Sequence, residues 1–159
     1  MARLIYFLML LTMMTQATAQ ETTIYLIRHA EKADATPDTS LSESGSRRAE
    51  HWADYFRNIP IDLVLSTPYK RTQQTCAPLA AAHHLEIVTY DPKILDLPQL
   101  ISQNPGKTIL ITGHSNTIPK YINELLGQQK YPDIPESEFG NLYVLKIRNG
   151  KVSDELLHP

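Results

Sequence analysis

Hydrophobic and polar positions follow two different periods along the chain. Apolar residues spaced i, i+3, i+4 and i+7, as at Ala49, Trp52, Ala53 and Phe56, predict amphipathic helices, whereas short apolar runs predict strands. Strands are predicted at 23–27, 61–66, 85–90, 107–112, 141–147 and 151–157. Helices are predicted at 42–59, in a segment that Pro68 opens, at 97–103 and at 115–127. Strands and helices therefore alternate along most of the chain.

Residues that are typical of helix ends and turns occur at several of the predicted helix and strand boundaries. Ser42 has the side chain of a helix N-cap, Pro68 suits the first turn of a helix, and Gly127 suits a helix end. Asn149 and Gly150 separate the last two strands, and this pair favours the tight turn of a β-hairpin. The last two strands are therefore expected to be antiparallel neighbours.

The alternation of strands and helices predicts an α/β fold with a mostly parallel central sheet. In such sheets, ligands bind beyond the carboxyl ends of the strands. Polar residues directly follow three of the predicted strands: Arg28 with His29, the segment 66–71, and the segment 113–115. We expect these three segments to meet at one edge of the sheet and to form the functional site.

The first nineteen residues differ from the rest of the chain. Arg3 precedes an apolar stretch over 4–14, and Ala17 and Ala19 are the small residues that signal peptidase accepts. The stretch is shorter than the roughly 20 residues that a membrane-spanning helix needs. We predict a signal peptide over 1–19 and a single domain over 20–159, secreted or periplasmic and without a membrane span. An uncleaved membrane anchor is the alternative.

Composition narrows the class of partner. The 159 residues, of which 42% are hydrophobic, suffice for one globular core. The formal net charge of -2 argues against a nucleic-acid partner, because it leaves no broad basic surface. Cys76 is the single cysteine, so an intrachain disulfide is excluded, and its place on an apolar helical face predicts a core residue.

Cationic groups at the three strand ends predict a local anion site. A buried cation needs an anionic partner, and the forked guanidinium donors of Arg28 and Arg71 match phosphoryl oxygens. Two predicted helix amino termini add unpaired N–H groups that favour phosphate or sulfate. His29 and His114 stand among these donors, and a neutral imidazole can accept a phosphoryl group covalently.

Four segments, "LIRHAEK", "LSESGSRRAE", "LSTPYKRTQQTCAPLA" and "ITGHSNTIP", resemble the successive signatures of the histidine phosphatase superfamily, also called phosphoglycerate-mutase-like. The resemblance is to the small branch without a large cap insertion. It implies a three-layer α/β/α sandwich, with His29 as the nucleophile that becomes phosphorylated. It also implies that Arg28, Arg71 and His114 bind the phosphoryl group, with further contacts from Ser66 and Ser115, and that no metal or other cofactor takes part.

The general acid is the open position in this scheme. Mutase-type members carry a glutamate in an insertion after the Arg-Thr helix, and this chain has no such insertion. Asp91 is favoured because it follows a predicted strand near the site, and Glu31 and Asp34 are the alternatives. Ala35 and Thr36 stand where mutase-type members have an asparagine, which argues against mutase activity.

The resemblance and the residues together predict an exported, metal-independent phosphomonoesterase that acts on a small phosphorylated substrate. A non-catalytic phospholigand-binding protein of the same fold is the alternative. An esterase with Ser115 as nucleophile is disfavoured, because Thr117 replaces the second glycine of the Gly-x-Ser-x-Gly turn. The Pro- and Glu-rich segment 128–140 is expected to form a mobile rim of the site, with a plain surface connection as the alternative.

Overall fold

The computed structural model describes residues 20–159, so the predicted signal peptide over 1–19 lies outside the described residues. Strands and helices alternate along the described range up to a final pair of strands. In chain order they are β1 Thr22–Arg28, α1 Glu43–Phe56, β2 Leu63–Ser66, α2 Lys70–Ala82, β3 Ile87–Thr89, α3 Leu97–Gln103, β4 Thr108–Gly113, α4 Thr117–Leu126, β5 Leu142–Arg148 and β6 Lys151–Leu157. Among the described residues, no helix has the length and apolar character needed to cross a membrane.

The six strands form one sheet in the order β3-β2-β4-β1-β5-β6. The first four strands of the chain run parallel, whereas β5 and β6 are antiparallel to their neighbours. Arg28 is level with Gly113, and Ser66 is level with Thr112, so β2, β4 and β1 end together as neighbours. The predicted mostly parallel sheet is confirmed, and the three polar segments share one of its edges.

Helices cover both faces of the sheet, which confirms the three-layer α/β/α sandwich. On one face, α1 and α2 pack Trp52, Phe56 and Leu79 against the sheet residues Ile27, Val64 and Leu110. On the other face, α3 and α4 pack Leu97, Ile118 and Ile122 against Ile24, Leu26, Ile109 and Ile111. Alternate residues of β1 and β4 thus point to opposite cores, and each fully buried large side chain contributes about 1.5–3 kcal/mol.

Most of the predicted element ends are present. The Ser42 hydroxyl accepts a hydrogen bond from the Gly45 N–H at 3.0 Å, which caps α1. Gly127 ends α4 with a φ of 65°, a left-handed conformation that glycine adopts at little cost. Asn149 and Gly150 have φ values of 52° and 73°, as a type I′ hairpin turn requires.

Several predicted boundaries are shifted: α1 ends at Phe56 and not at 59, and β2 begins at Leu63 and not at 61. Pro68 does not open α2: the chain bends at Pro68 and Tyr69, Tyr69 is the extended N-cap residue, and the helix begins at Lys70. Strand β3 is also shorter than 85–90. The Leu85 N–H donates to the Ala80 carbonyl at 2.9 Å and so ends the preceding helix instead of joining the sheet.

Cys76 is a core residue, as predicted. It lies on α2 with no exposed surface, and its thiol donates to the carbonyls of Thr72 and Gln73, both at 3.5 Å. Burial raises the pKa of the Cys76 thiol to about 11. The thiol therefore stays protonated and unreactive near neutral pH.

Candidate functional site

A surface cavity of about 350 Å³ lies where β1, β2 and β4 end. Its charged and polar lining residues include His29, Lys32, Arg71, His114, Ser115 and Glu136. Tyr69, Asn116 and Thr117 also line it, so the amino termini of α2 and α4 face the cavity. A larger cavity of about 580 Å³ beside the β5–β6 turn is lined mainly by charged surface side chains and holds no histidine. The cavity at the strand ends is therefore the candidate site.

His29 directly follows β1 and is held in one orientation. Its backbone N–H donates to the Gly113 carbonyl at 2.9 Å, and its Nδ1–H donates to the Ala30 carbonyl at 2.8 Å. The Ala30 N–H donates in turn to the Thr75 hydroxyl at 2.9 Å. Since Nδ1 carries the proton, Nε2 keeps a free lone pair. This geometry leaves Nε2 able to act as a nucleophile.

Burial keeps the His29 ring neutral. The side chain is almost completely buried, and this burial, together with the positive charges of Arg28, Arg71 and Lys32, lowers its pKa to about 4. The hydrogen bond to Ala30 opposes this shift but does not overcome it. At neutral pH the ring therefore carries a proton on Nδ1 alone, and the lone pair of Nε2 can act as a nucleophile.

His114 follows β4 and faces His29, with ring centroids 5.6 Å apart. Its Nε2–H donates to the Thr67 hydroxyl at 3.1 Å, and its Nδ1 lies 3.5 Å from an Nη2 of Arg71. Burial, followed by the charge of Arg71, lowers the pKa of His114 to about 4. Both imidazoles of the cavity are therefore neutral at pH 7.

Arg71 reaches the cavity from the first turn of α2. One of its Nη1 donors binds the Pro37 carbonyl at 2.8 Å, and its guanidinium lies over the Tyr69 ring, 4.5 Å from the centroid. Its Nε is buried without a hydrogen-bond partner. The guanidinium therefore keeps donors that an anionic ligand can satisfy.

Arg28 is placed differently from the sequence-based expectation. Its side chain is 1% exposed, and it does not line the cavity. Its Nη1 donates to the carbonyls of Pro135 and Glu138, each at 2.8 Å, and to that of Glu136 at 3.3 Å. Its Nη2 donates to the Glu136 carboxylate at 2.9 Å. A phosphoryl group can take the Nη2 donor that Glu136 occupies only when that carboxylate leaves it, whereas Nε of Arg28 is buried without a hydrogen-bond partner.

The two predicted serines lie in different environments. Ser115 lines the cavity, and its hydroxyl donates to the Glu136 carboxylate at 3.2 Å. Ser66 is fully buried at the end of β2, and its hydroxyl donates to the Thr67 carbonyl at 3.0 Å. Only Ser115 presents its hydroxyl to the cavity.

The three carboxylates named from the sequence do not line the cavity. Asp91 is exposed, and its carboxylate accepts the Lys93 N–H at 2.9 Å. The Glu31 carboxylate accepts hydrogen bonds from Nη2 of Arg48 at 2.6 Å and from Nε of Arg48 at 3.0 Å. Burial acts to raise the pKa of Glu31, but the hydrogen bonds and charge of Arg48 outweigh it and lower the pKa. Asp34 is exposed, and its bonds to Thr36 lower its pKa.

The carboxylate that does line the cavity is Glu136, which the sequence did not single out. It lies on the segment 128–140, the predicted rim, which folds back until the Ile134 N–H donates to the Ser115 carbonyl at 2.9 Å. The charge of Arg28 lowers the pKa of Glu136, since the contribution of burial is smaller. The Pro- and Glu-rich composition indicated the segment, but it did not indicate which glutamate enters the site.

The remaining histidines lie apart from the cavity. His51 is exposed on α1, and the His83 ring lies 3.2 Å from the Phe56 carbonyl. Within residues 20–159, no three His, Cys, Asp or Glu side chains are arranged to hold a metal ion.

Comparisons with known proteins agree with this geometry. The sequence model of the histidine phosphatase superfamily (branch 1) matches residues 24–95. An uncharacterised protein of Mycobacterium tuberculosis is 33% identical over 84 residues, which are 48% of this chain and 41% of that protein. A probable phosphoglycerate mutase GpmB of Yersinia pestis is 34% identical over 88 residues, which are 51% of this chain and 40% of that protein. The matches thus span about two fifths of the length of these curated relatives.

Solved structures share the whole fold. A putative phosphohistidine phosphatase SixA from Agrobacterium tumefaciens has a TM-score of 0.64 at 25% identity, covering 86% of this chain and 98% of its own. A protein histidine phosphatase SixA complexed with tungstate has a TM-score of 0.69 at 17% identity, and the match covers 86% of this chain and 97% of that protein. Since the sequence model of the family matches residues 24–95 and the sheet and helices match those of solved members, the chain belongs to the histidine phosphatase superfamily.

Proposed function

We propose that this protein is a phosphomonoesterase that carries the phosphoryl group on Nε2 of His29. The observation that supports this most strongly is the environment of His29. The Ala30 carbonyl holds the Nδ1 proton at 2.8 Å, and burial keeps the ring neutral beside Arg71 and His114. A fixed, neutral imidazole among phosphate-binding donors suits nucleophilic attack on phosphorus.

The reaction has two steps. First, the Nε2 lone pair of His29 forms a bond to phosphorus, and the substrate P–O bond breaks with its electron pair remaining on the departing oxygen, which takes up a proton. Arg71, His114 and the N–H groups at the amino termini of α2 and α4 stabilise the charge on the equatorial oxygens. Water then attacks phosphorus, the N–P bond breaks, and inorganic phosphate leaves a neutral His29.

The substrate we propose is a small phosphomonoester outside the cytoplasm, such as a sugar phosphate. The cavity of about 350 Å³ suits a small phosphorylated compound, and the proposed export rests on the signal-peptide pattern over 1–19. The proposal needs no metal, because cationic side chains and helix termini provide the charge stabilisation.

The test is turnover of an aryl phosphate by the purified protein in excess chelator, with His29→Ala as the variant. His51→Ala is the matched control, since His51 is exposed on α1 and does not line the cavity. Turnover by the parent and by His51→Ala but not by His29→Ala, with an acid-labile phosphoryl group on the parent after rapid quenching, is the expected result.

The alternative function predicts a different outcome of the same test. If the folded parent binds inorganic phosphate but turns over neither aryl phosphates, sugar phosphates nor a phosphohistidine-bearing protein, the non-catalytic phospholigand-binding reading replaces the phosphatase. Turnover that survives His29→Ala contradicts the phosphohistidine route.

A further inference from the structure

We propose that Glu136 is the carboxyl group that protonates the leaving oxygen, and that substrate binding releases it from Arg28 and Ser115. This inference rests on the proposed phosphatase function, which needs a proton donor for the leaving oxygen. Among the described residues, the lining of the cavity around His29 contains one carboxylate, and that carboxylate belongs to Glu136.

The contacts of Glu136 are those that a phosphoryl group also makes. One carboxylate oxygen accepts from Nη2 of Arg28 at 2.9 Å, and the other accepts from the Ser115 hydroxyl at 3.2 Å. A guanidinium and a hydroxyl bind phosphoryl oxygens in the same way. In the free protein, the carboxylate therefore occupies donors that substrate competes for.

The exchange requires movement of one side chain and leaves the backbone in place. The Glu136 side chain is 75% exposed, so it can move into solvent without displacing buried side chains. The backbone of the segment is held independently, because Nη1 of Arg28 binds three of its carbonyls and the Phe139 ring covers the guanidinium at 4.3 Å. Nη2 can thus pass from the carboxylate to a phosphoryl oxygen while Nη1 keeps the segment at the cavity.

Substrate binding also makes Glu136 a better acid. In the free protein, the charge of Arg28 holds the Glu136 carboxyl ionised. Once a phosphoryl dianion takes over Nη2, the carboxylate loses this partner and lies beside a negative charge, and both changes favour its protonated form. The carboxyl then carries a proton where the leaving oxygen needs one.

The proton balance follows both steps of the reaction. As the N–P bond forms, the substrate P–O bond breaks, its electron pair stays on the leaving oxygen, and the Glu136 proton moves to that oxygen. In the second step, the carboxylate takes a proton from the attacking water as the new P–O bond forms and the N–P bond breaks. Glu136 ends the cycle protonated, and it returns to Arg28 after phosphate and the proton leave.

The test compares the parent with Glu136→Gln on two substrates with different leaving groups. An alkyl phosphate needs its leaving oxygen protonated, whereas an activated aryl phosphate does not. We expect Glu136→Gln to lower kcat for the alkyl phosphate by about 10²-fold or more, and that for the aryl phosphate by less than about tenfold. We also expect tighter binding of inorganic phosphate, because the competing charge is gone.

Matched variants separate this role from others. Asp133→Asn removes an exposed carboxylate from the same segment outside the cavity, and both substrates should be turned over as by the parent. In Glu136→Ala, added formate should restore part of the alkyl phosphate turnover, since a small carboxylate fits the vacated place. If Glu136→Gln folds poorly, the formate rescue of Glu136→Ala still tests the role of the carboxyl group.

Equal losses on the two substrates, or no loss on either, would overturn the assignment of Glu136. Such a result leaves the phosphatase itself standing if His29 is still phosphorylated in Glu136→Gln. Failure of the proposed function is recognised separately, because the parent protein then forms no phosphohistidine with either substrate.

Discussion

The imidazoles of His29 and His114 meet edge to face across the cavity, with ring centroids 5.6 Å apart. Burial lowers the pKa of each ring from 6.5 to about 4, and nearby arginine charges add to the effect. In the unfolded chain both rings are expected to titrate near 6.5. Between pH 6.5 and about 4, these two histidines are therefore protonated in the unfolded chain but neutral in the folded protein.

The first prediction is a loss of stability on acidification. Between pH 6.5 and about 4 the unfolded state binds more protons at His29 and His114 than the folded state, so the free energy of unfolding falls as pH falls. The full shift corresponds to up to about 3 kcal/mol per histidine. Urea unfolding at several pH values measures this, and His29→Gln should show a shallower pH dependence than the parent. Identical slopes for the two proteins would contradict it.

A second prediction concerns Thr67, which holds His114. The Thr67 hydroxyl accepts the Nε2–H of His114 at 3.1 Å and lies 2.8 Å from the Thr72 hydroxyl. Thr67→Val keeps the shape but removes the acceptor, so the tautomer of His114 is no longer fixed. We expect kcat/KM to fall about fivefold, because a hydrogen bond of this kind contributes on the order of 1 kcal/mol.

Two measurements separate this effect from a general loss of structure. Nitrogen NMR of the imidazoles in Thr67→Val should show a mixture of His114 tautomers, with the free energy of unfolding lowered only modestly. Thr89→Val, at an exposed threonine of β3, should leave activity and tautomer unchanged. An unaltered kcat/KM in Thr67→Val means that Thr67 does not orient His114.

The cluster of His29, Arg71, His114 and Ser115 could be predicted because it depends on a simple rule. His29, His114 and Ser115 directly follow parallel strands, and Arg71 lies in the first turn of the helix after β2. The register that levels Arg28 with Gly113 brings the ends of these strands together. Apolar alternation is a local property of the sequence, so the strands that carry these residues were found from it.

The partnership of Arg28 and Glu136 could not be predicted in the same way. The two residues are 108 positions apart, and the contacts of Arg28 are mostly to backbone carbonyls, which every residue has. The start of α2 was mispredicted for a different, local reason: proline is permitted in the first turn of a helix but does not require a helix to begin there. Long-range contacts of irregular segments leave no periodic signal in a sequence.

A third prediction tests the close approach of α1 to the segment after His29. A Cβ added at Gly45 would lie 2.3 Å from the Glu31 carbonyl oxygen, closer than any allowed contact. Gly45→Ala should therefore push α1 away and lower the free energy of unfolding by about 1–3 kcal/mol, as overpacking does. Gly140→Ala is the control, because its Cβ would meet nothing nearer than 3.6 Å. Equal midpoints of denaturant unfolding for the two variants would show that the Glu31 segment yields easily.

The final prediction is that Arg28 keeps the segment 134–139 folded over the site. Its Nη1 binds the carbonyls of Pro135, Glu136 and Glu138 while its Nη2 binds the Glu136 carboxylate, and the single nitrogen of a lysine cannot make both sets of bonds. In Arg28→Lys, hydrogen exchange should accelerate at least about tenfold, or 1.4 kcal/mol of local opening, across this segment. Arg71→Lys is the control, since Arg71 binds Pro37 and not this segment. Exchange that stays slow in Arg28→Lys would mean that Ile134 and its bond to Ser115 anchor the segment without Arg28.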